Sequence, residues 1–250
     1  MAANNTPFLL LRGLMREQRH WGNFVTLLQQ QHPDADIITL DIPGNGHLYQ
    51  RESPKSIAGM TDALRQQLKA ATPINLIALS MGGMIAIDWA TRYPEEISAL
   101  VLINTSVSRY APFYWRLRWQ NYYHFLNMLW QNPTQKEQTI VALTSNYHQD
   151  DAKLVDNWQH WRQQCPVSAK NAYHQIRASA TFKSLQKPSQ PLLILTSSAD
   201  RLVDYRCSVR LHEAWESAFE QHLTAGHDLP LDAPLWVSQV IKKWLGSGAK

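Results

Sequence analysis

The stretch Asn75-Leu76-Ile77-Ala78-Leu79-Ser80-Met81-Gly82-Gly83 decides the fold prediction for this chain. It joins an apolar run of strand length to a segment with helical spacing, and Ser80 stands at the junction. A tight turn at this point crowds the backbone, so the residues two before and two after the serine must be small. Ala78 and Gly82 meet that requirement. The pattern predicts a strand, a sharp turn and a helix, with the Ser80 hydroxyl at the carboxyl end of a sheet.

Five further apolar runs of similar length alternate with helical patterns along the chain. Runs that are apolar almost throughout are typical of strands covered on both faces, as in a parallel sheet. The alternation predicts an α/β fold with a doubly wound, mostly parallel sheet of six strands. The predicted strands are 8–11, 35–40, 74–79, 99–103, 192–195 and 219–223.

The alternation stops between the fourth and fifth predicted strands. There we expect a helical lid, residues 107–185, inserted into a core formed by residues 1–106 and 186–250, all in one structural domain. The aromatic residues of the lid either pack it against the sheet or line an acyl pocket. Several recur with the spacing of one apolar helix face, namely Trp115, Trp119, Tyr122, Tyr123, Leu126 and Trp130.

Composition and charge exclude several classes of protein. With 250 residues, 44% of them apolar and 18% charged, the chain is neither disordered nor fibrous. The net charge is +4, but residues 107–190 alone carry ten Lys or Arg against four Asp or Glu. This excess is either a solvated face or a surface that attracts an anionic substrate or an acidic carrier protein. No basic run or other signature predicts nucleic-acid binding.

Cysteine usage and the absence of targeting patterns predict a cytoplasmic location. Cys165 and Cys207 are the only cysteines, too few for a disulfide framework or a Cys-rich zinc site. The first residues lack the features of a secretory signal. No run approaches the roughly 18 apolar residues of a membrane span.

A serine hydroxyl becomes a good nucleophile only when a base removes its proton, and the base needs a carboxylate partner. Among ten histidines, His227 has the most suitable setting, in a loop after the last predicted strand, where sites of α/β sheets gather. Asp200 directly follows the fifth predicted strand. Asp204 is the competing acid, although its place before a helical run favours a role as N-cap.

Four segments together resemble the α/β-hydrolase superfamily, over nearly the whole chain. Residues 8–21 are similar to its first strand and oxyanion loop, and residues 41–47 to its Asp-x-Pro-Gly-x-Gly loop. Residues 78–83 resemble its nucleophile elbow, with alanine in place of the first glycine, and residues 226–230 its histidine loop. Within the superfamily the chain looks closest to small lidded carboxylesterases such as the pimeloyl carrier-protein methyl ester esterases.

The resemblance implies a serine hydrolase that cleaves a carboxylic ester or thioester through an acyl-enzyme on Ser80. It implies a catalytic triad of Ser80, Asp200 and His227, in the chain order of that superfamily. It also implies an oxyanion hole formed by the backbone N–H groups of Leu14 and Met81. We expect no cofactor and no metal, because the chain has no dinucleotide loop, P-loop or His-Glu-x-x-His motif.

The chain departs from the superfamily pattern in two places. Arg12 stands where relatives usually have histidine, and it either binds a substrate carboxylate or is simply packed or solvated. Only seven residues precede Phe8, so we expect the usual first hairpin to be missing and six strands to remain.

Two other functions stay open at this stage. One is a lyase or C–C bond hydrolase on the same triad, similar to an enzyme of menaquinone synthesis; Arg12 and the arginines of the lid would suit its carboxylate-bearing substrates. The other is a non-catalytic protein that binds a small molecule on a hydrolase fold, since a fold alone does not prove activity.

Overall fold

The computed structural model describes residues 6–70, 73–184 and 186–248, and six strands form its single sheet. The strands are β1 (Phe8–Leu11), β2 (Ile37–Leu40), β3 (Ile74–Leu79), β4 (Ile97–Ile103), β5 (Leu192–Ser197) and β6 (Ala218–His222). Their order across the sheet is β2-β1-β3-β4-β5-β6, and every neighbouring pair is parallel. The predicted six-stranded parallel sheet is confirmed.

Helices cover both faces of this sheet, which explains why its strands are apolar almost throughout. The helices are α1 (Phe24–Gln31), α2 (Ile57–Gln67), α3 (Met81–Arg92), α4 (Phe113–Arg116), α5 (Tyr122–Asn127), α6 (Pro133–Thr144), α7 (Ala152–Gln164), α8 (Ala169–Thr181), α9 (Arg206–Trp215), α10 (Leu229–Asp232) and α11 (Pro234–Gly246).

Alternate residues of each strand enter different cores. Leu9 and Leu11 of β1 join a buried cluster with residues of α2, α3 and α9. Phe8 and Leu10 of the same strand point to the other face, into a cluster with residues of α1 and α11. This period of two is the expected consequence of strand geometry when both faces are covered.

Five helices, α4 to α8, lie between β4 and β5, and we refer to them together as the insert. They occupy the segment that we predicted to be helical, and their action as a lid stays a prediction. No helix in the described part of the chain is long and apolar enough to cross a membrane.

The prediction of one continuous apolar helix face over residues 115–130 is wrong. The segment is divided into α4, a 3₁₀ turn at Trp119–Asn121 and α5, with an extended link at Leu117. Arg118 holds that link, because its backbone amide donates to the Leu202 carbonyl (3.0 Å) and its guanidinium to the Asp200 carbonyl (2.9 Å).

Most aromatic side chains of this segment are exposed. Trp115 packs against Ala111, Val203 and Cys207, whereas the side chain of Trp130 is 79% exposed. Periodicity detects a shared face but cannot tell whether another element covers it. The other large side chains here that solvent reaches are Phe113, Tyr114, Trp119, Tyr122, Tyr123, Leu126 and Leu129.

Candidate active site

The strand order reverses between β1 and β3, and the carboxyl ends of these two strands lie side by side. The chain leaves β1 towards β2 on one side, while β3 lies on the other, and ligands of open α/β sheets bind at such a reversal. The loop after β1 and the turn after β3 meet there. A Cβ added to Gly13 would lie only 3.0 Å from the Ser80 Cβ and 3.5 Å from its Oγ. Glycine at position 13 therefore lets this loop approach the serine closely.

Ser80 has the strained backbone that the turn requires. Its φ of 57° and ψ of −118° lie in a region that side-chain-bearing residues rarely adopt. Its amide donates to the Ile103 carbonyl (2.9 Å), and its carbonyl accepts from the Thr105 hydroxyl (2.7 Å). A Cβ at Gly82 would come within 2.5 Å of the Leu11 carbonyl oxygen, so this position needs glycine. The predicted strand, turn and helix are present.

Asp200 and His227 are brought together although 27 positions separate them. The Asp200 Oδ2 lies 2.7 Å from the His227 Nδ1, and the two residues are only 1% and 4% exposed. The Asp200 Oδ1 accepts from the amides of Leu202 (2.8 Å) and Val203 (2.9 Å). A carboxylate only accepts, so Nδ1 donates the hydrogen of this contact, and in the neutral imidazole with this tautomer the lone pair is on Nε2.

The competing acid, Asp204, has a different role. Its Oδ1 accepts from both the amide (3.0 Å) and the Nε (2.8 Å) of Arg206 at the start of α9. Burial acts to raise the pKa of Asp204, but the hydrogen bonds and charge of Arg206 outweigh it and hold that pKa below its usual value. The carboxylate thus binds the first amide of α9, although the N-cap position itself is Tyr205, one residue later than the sequence indicated.

The Ser80 hydroxyl itself is not yet connected to the histidine. Across residues 6–70, 73–184 and 186–248, Ser80 Oγ makes no hydrogen bond, and the side chain is partly exposed. Catalytic hydrogen bonds are often long in a structure without substrate, and they tighten when the substrate binds. The Ser80–His227 contact therefore stays a prediction.

The backbone amides of Leu14 and Met81 are the donors predicted for the oxyanion hole. Neither donates to an acceptor within the described residues. The next amide, that of Met15, is occupied, because it donates to the Gln175 Oε1 at 2.9 Å. Met15 has a φ of 54°, so the loop turns sharply just after Leu14. The position of both amides is compatible with the predicted oxyanion hole, and their role stays a prediction.

Two residues that the sequence analysis missed support these loops. Asn104, directly after β4, donates to the His227 carbonyl (2.7 Å) and accepts from the Ser197 amide (3.0 Å). Gln175 of α8 is fully buried, and its amide nitrogen donates to the Asn45 Oδ1 (2.7 Å) while its oxygen holds Met15. A polar residue directly after a buried strand signals Asn104, whereas no local pattern singles out Gln175.

Arg12 is packed, and its charge is neutralised. Its Nη1 donates to the Asp228 Oδ1 at 3.0 Å, and its Nη2 contacts the other carboxylate oxygen. The guanidinium also lies 4.9 Å from the ring centre of Trp21. Of the two alternatives for Arg12, the packed one describes this structure, because Asp228 occupies the face that a substrate carboxylate would need.

No metal site is evident in the described residues, since no group of three or more His, Cys, Asp or Glu side chains has suitable geometry. The residues at this edge of the sheet are of the types that nucleophilic catalysis uses. They comprise a hydroxyl on a strained turn, an imidazole held by a buried carboxylate, and two unengaged amides.

Comparisons with known proteins identify the fold. A family model described as alpha/beta hydrolase fold matches residues 6–234. The biotin biosynthesis bifunctional protein BioHC of Teredinibacter turnerae is 25% identical over 97% of this chain and 45% of its own length. The pimeloyl-(acyl-carrier protein) methyl ester esterase of Chromobacterium violaceum is 32% identical over 35% of this chain and 33% of its own. The chain thus matches less than half of the length of either relative.

Solved structures agree on the fold. The structure of a thermophilic esterase from Thermogutta terrifontis has a TM-score of 0.73 and 19% identity, and the match covers 98% of this chain and 91% of that one. At this level of identity the likeness establishes the architecture, and the chemistry must be argued from the site.

Proposed function

Because the chain belongs to the alpha/beta hydrolase fold family, we propose that it is a serine hydrolase that cleaves a carboxylic ester or thioester through an acyl-enzyme on Ser80. The observation that carries the proposal is the 2.7 Å contact between Asp200 and His227, at the same edge of the sheet as Ser80. A buried carboxylate on Nδ1 directs the free Nε2 towards proton abstraction.

The proposed reaction has two halves. In the first, Ser80 Oγ attacks the substrate carbonyl, His227 Nε2 takes the hydroxyl proton, and the same proton then passes to the leaving alcohol or thiol. In the second, His227 removes a proton from water, which attacks the acyl-enzyme; the acid is released as His227 returns that proton to Ser80 Oγ. Asp200 keeps the imidazole in one orientation and stabilises the imidazolium that forms in each half.

The oxyanion that develops in both halves would be held by the amides of Leu14 and Met81. Each is a backbone donor, so the side chain at these positions matters little. Loss of one such donor costs about 3 kcal/mol of transition-state stabilisation in another serine hydrolase. Support comes from the absence of an internal acceptor for either amide in the part of the chain that the structure describes.

We propose that the substrate is a small-molecule acyl ester and that the protein acts in the cytoplasm. An acidic carrier protein is a second proposed partner, which would present the acyl group. Two observations support an anionic partner. One relative is named for a methyl ester on an acyl-carrier protein, and the segment 107–190 has an excess of positive charge. Such a field speeds encounter with anions and weakens as salt rises.

The alternative lyase or C–C hydrolase would need cations free to bind substrate carboxylates, and Arg12 is one candidate for such a cation. Arg12 is paired with Asp228. Arg116 donates to the Ser179 carbonyl, and Arg118 donates to the Asp200 carbonyl. Arg12 is therefore unsuited to that role because its charge is neutralised, whereas Arg116 and Arg118 bind neutral carbonyls and keep their charge.

The proposal is tested with p-nitrophenyl esters and a fluorophosphonate probe. We expect the wild type to hydrolyse short-chain esters and to be labelled, and Ser80→Ala to lose both. Asp200→Asn should lower kcat about 10³- to 10⁴-fold, because the imidazole loses its orienting carboxylate. Asp204→Asn is the matched control, four positions away, and should keep nearly full activity.

Three outcomes would contradict the proposal. Labelling that persists in Ser80→Ala would place the nucleophile elsewhere. Weak ester turnover beside strong elimination would favour the lyase. Binding of a small molecule that Ser80→Ala leaves unchanged, with no turnover or labelling of the wild type, would favour a non-catalytic binding protein.

A further inference from the structure

The Arg12–Asp228 ion pair lies between two loops of the candidate active site. Arg12 immediately precedes Gly13 and Leu14 of the loop after β1, and Asp228 immediately follows His227. Both residues are only 3% exposed. The contact is bidentate, with one guanidinium nitrogen on each carboxylate oxygen. A bidentate pair fixes direction as well as distance, so each loop constrains the orientation of the other.

Each loop also makes its own hydrogen bonds to other elements of the structure. On the histidine side, Asn104 donates to the His227 carbonyl, and the Asp228 amide donates to the Thr144 carbonyl at 2.7 Å. On the other side, Gln175 accepts from the Met15 amide. In the described ranges, the Arg12–Asp228 pair is the sole hydrogen-bonded connection between residues 12–16 and 225–228.

Stability alone is a poor explanation for such a pair. Removing two charges from water costs more than their attraction often returns, and apolar residues of similar volume can replace buried ion pairs without loss of stability. What apolar side chains cannot reproduce is the directional contact between the guanidinium fork and the carboxylate. The desolvation cost of the buried Arg12–Asp228 pair therefore has a reason if the pair fixes the relative orientation of the two loops.

We propose that Arg12 and Asp228 are positioning residues, whose ion pair fixes the amide of Leu14 relative to the imidazole of His227. The inference rests on the proposed function, in which both groups act on one tetrahedral intermediate. Neither Arg12 nor Asp228 touches the reacting atoms. Small displacements of groups that act together lower the rate without an equal loss of binding.

The pair also balances charge beside the imidazole. The charged groups around His227 include Asp200 on Nδ1, Arg118 on the Asp200 carbonyl, Asp232 on the Gly226 amide, and the Arg12–Asp228 pair. Loss of Asp228 would leave a cation, which disfavours imidazolium. Loss of Arg12 would leave an anion, which favours it. The two losses therefore act in opposite directions on the acid limb of the pH–rate profile.

The experiment compares Arg12→Gln, Asp228→Asn, the double variant and Arg12→Lys with the wild type on a p-nitrophenyl ester. We expect each to lower kcat about tenfold or more with little change in KM. The acid limb of the pH–rate profile should shift to lower pH in Asp228→Asn and to higher pH in Arg12→Gln, each by roughly half a pH unit. In the double variant it should return to the wild-type position. Arg12→Lys should leave the limb in place but still lower kcat, because lysine cannot bind in a bidentate manner.

Arg65→Gln is the matched control. Arg65 makes a bidentate pair with Glu96 that connects α2 to the turn after α3, at a distance from the candidate site in the sequence and in the sheet. This variant should change thermal stability without changing kcat or the acid limb.

Three results would overturn the inference. The first is an unchanged kcat in folded Arg12 and Asp228 variants. The second is a shift of the acid limb in the same direction in Arg12→Gln and Asp228→Asn. The third is a loss of kcat in the Arg65→Gln control similar to that in these variants. If either single variant fails to fold, the double variant decides, because it leaves no unpaired buried charge. Wild-type turnover and fluorophosphonate labelling of Ser80 separate this inference from the proposed function, since the latter fails if the wild type is inactive.

Discussion

Ser80 combines a strained backbone with a partly exposed hydroxyl. A φ of 57° with a ψ of −118° costs a residue with a side chain on the order of 1–3 kcal/mol. The hydrogen bonds to Ile103 and Thr105 hold the conformation in spite of that cost. Glycine adopts it without strain, so a residue other than glycine here indicates that the side chain is used.

Ser80→Gly should therefore be more stable than the wild type and inactive. We expect the free energy of unfolding to rise by about 1 kcal/mol, since the strain of a side-chain-bearing residue is relieved. Ser80→Ala is the control, because it removes the same hydroxyl but keeps the Cβ and hence the strain. Urea unfolding measures the difference. A Ser80→Gly variant no more stable than Ser80→Ala would contradict the argument.

At the scale of single residues, the sequence indicated candidate site residues where the side chain comes shortly after the end of a predicted strand. Ser80, Asp200 and His227 are of this kind, because carboxyl ends of parallel strands meet at one edge of the sheet. Gln175 could not be predicted, because it contacts Met15 from a helix 160 positions away. Which helix residue reaches a given loop depends on how the insert packs.

At the scale of elements, the helices of the insert differ in how firmly they are attached. Trp158 of α7 is buried with Val141 of α6 and Val155, and the guanidinium of Arg16 lies 4.3 Å from its ring centre. α5 has no comparable anchor among its large side chains, and Tyr123 within it is 71% exposed. The helical spacing of aromatic residues is similar in both stretches, so spacing could not distinguish a packed helix from an exposed one.

Two tryptophan substitutions should show this difference. Trp158→Ala removes a buried ring and should lower the free energy of unfolding by about 3–5 kcal/mol. Trp130→Ala removes an exposed ring and should change it by less than about 0.5 kcal/mol. Denaturant unfolding of the two variants makes the comparison. Similar losses in both would mean that the residues after α5 are packed in solution.

At the scale of the whole molecule, buried charges join the insert to the core. Glu137 of α6 accepts a hydrogen bond from Arg16, in the loop after β1, at 3.1 Å and also contacts Arg162 of α7. His20 lies beside this group, edge-on to the rings of Trp158 and Trp161. Its Nε2 is 3.2 Å from the Arg16 guanidinium, which can only donate, so the imidazole accepts and is neutral.

Acid should weaken this junction. Burial, together with the nearby charges of Arg16 and Arg12, lowers the pKa of His20 well below its usual value. The unfolded chain then binds a proton that the folded one excludes, so stability falls as pH drops below about 6.5. One such group contributes a slope of up to about 1.4 kcal/mol per pH unit.

We expect His20→Gln to reduce the loss of stability between neutral and mildly acidic pH. Urea unfolding at several pH values measures the slope in each protein. His124→Gln is the control, since His124 of α5 is exposed and should leave the slope unchanged. Parallel slopes in the wild type and His20→Gln would exclude a role for His20.

Taken together, periodicity and local crowding were enough to predict the parallel sheet and the turn at Ser80, whereas the pairing of Asp200 with His227 was implied by the resemblance to a known superfamily. The sheet and the turn depend on strand geometry and on neighbours within a few positions. Packing alone decided that Arg12 is neutralised by Asp228, 216 positions away, and that the aromatic face around Trp130 has no cover. Such contacts depend on which distant surfaces meet in the folded chain, and the spacing of residues along the sequence does not determine which surfaces these are.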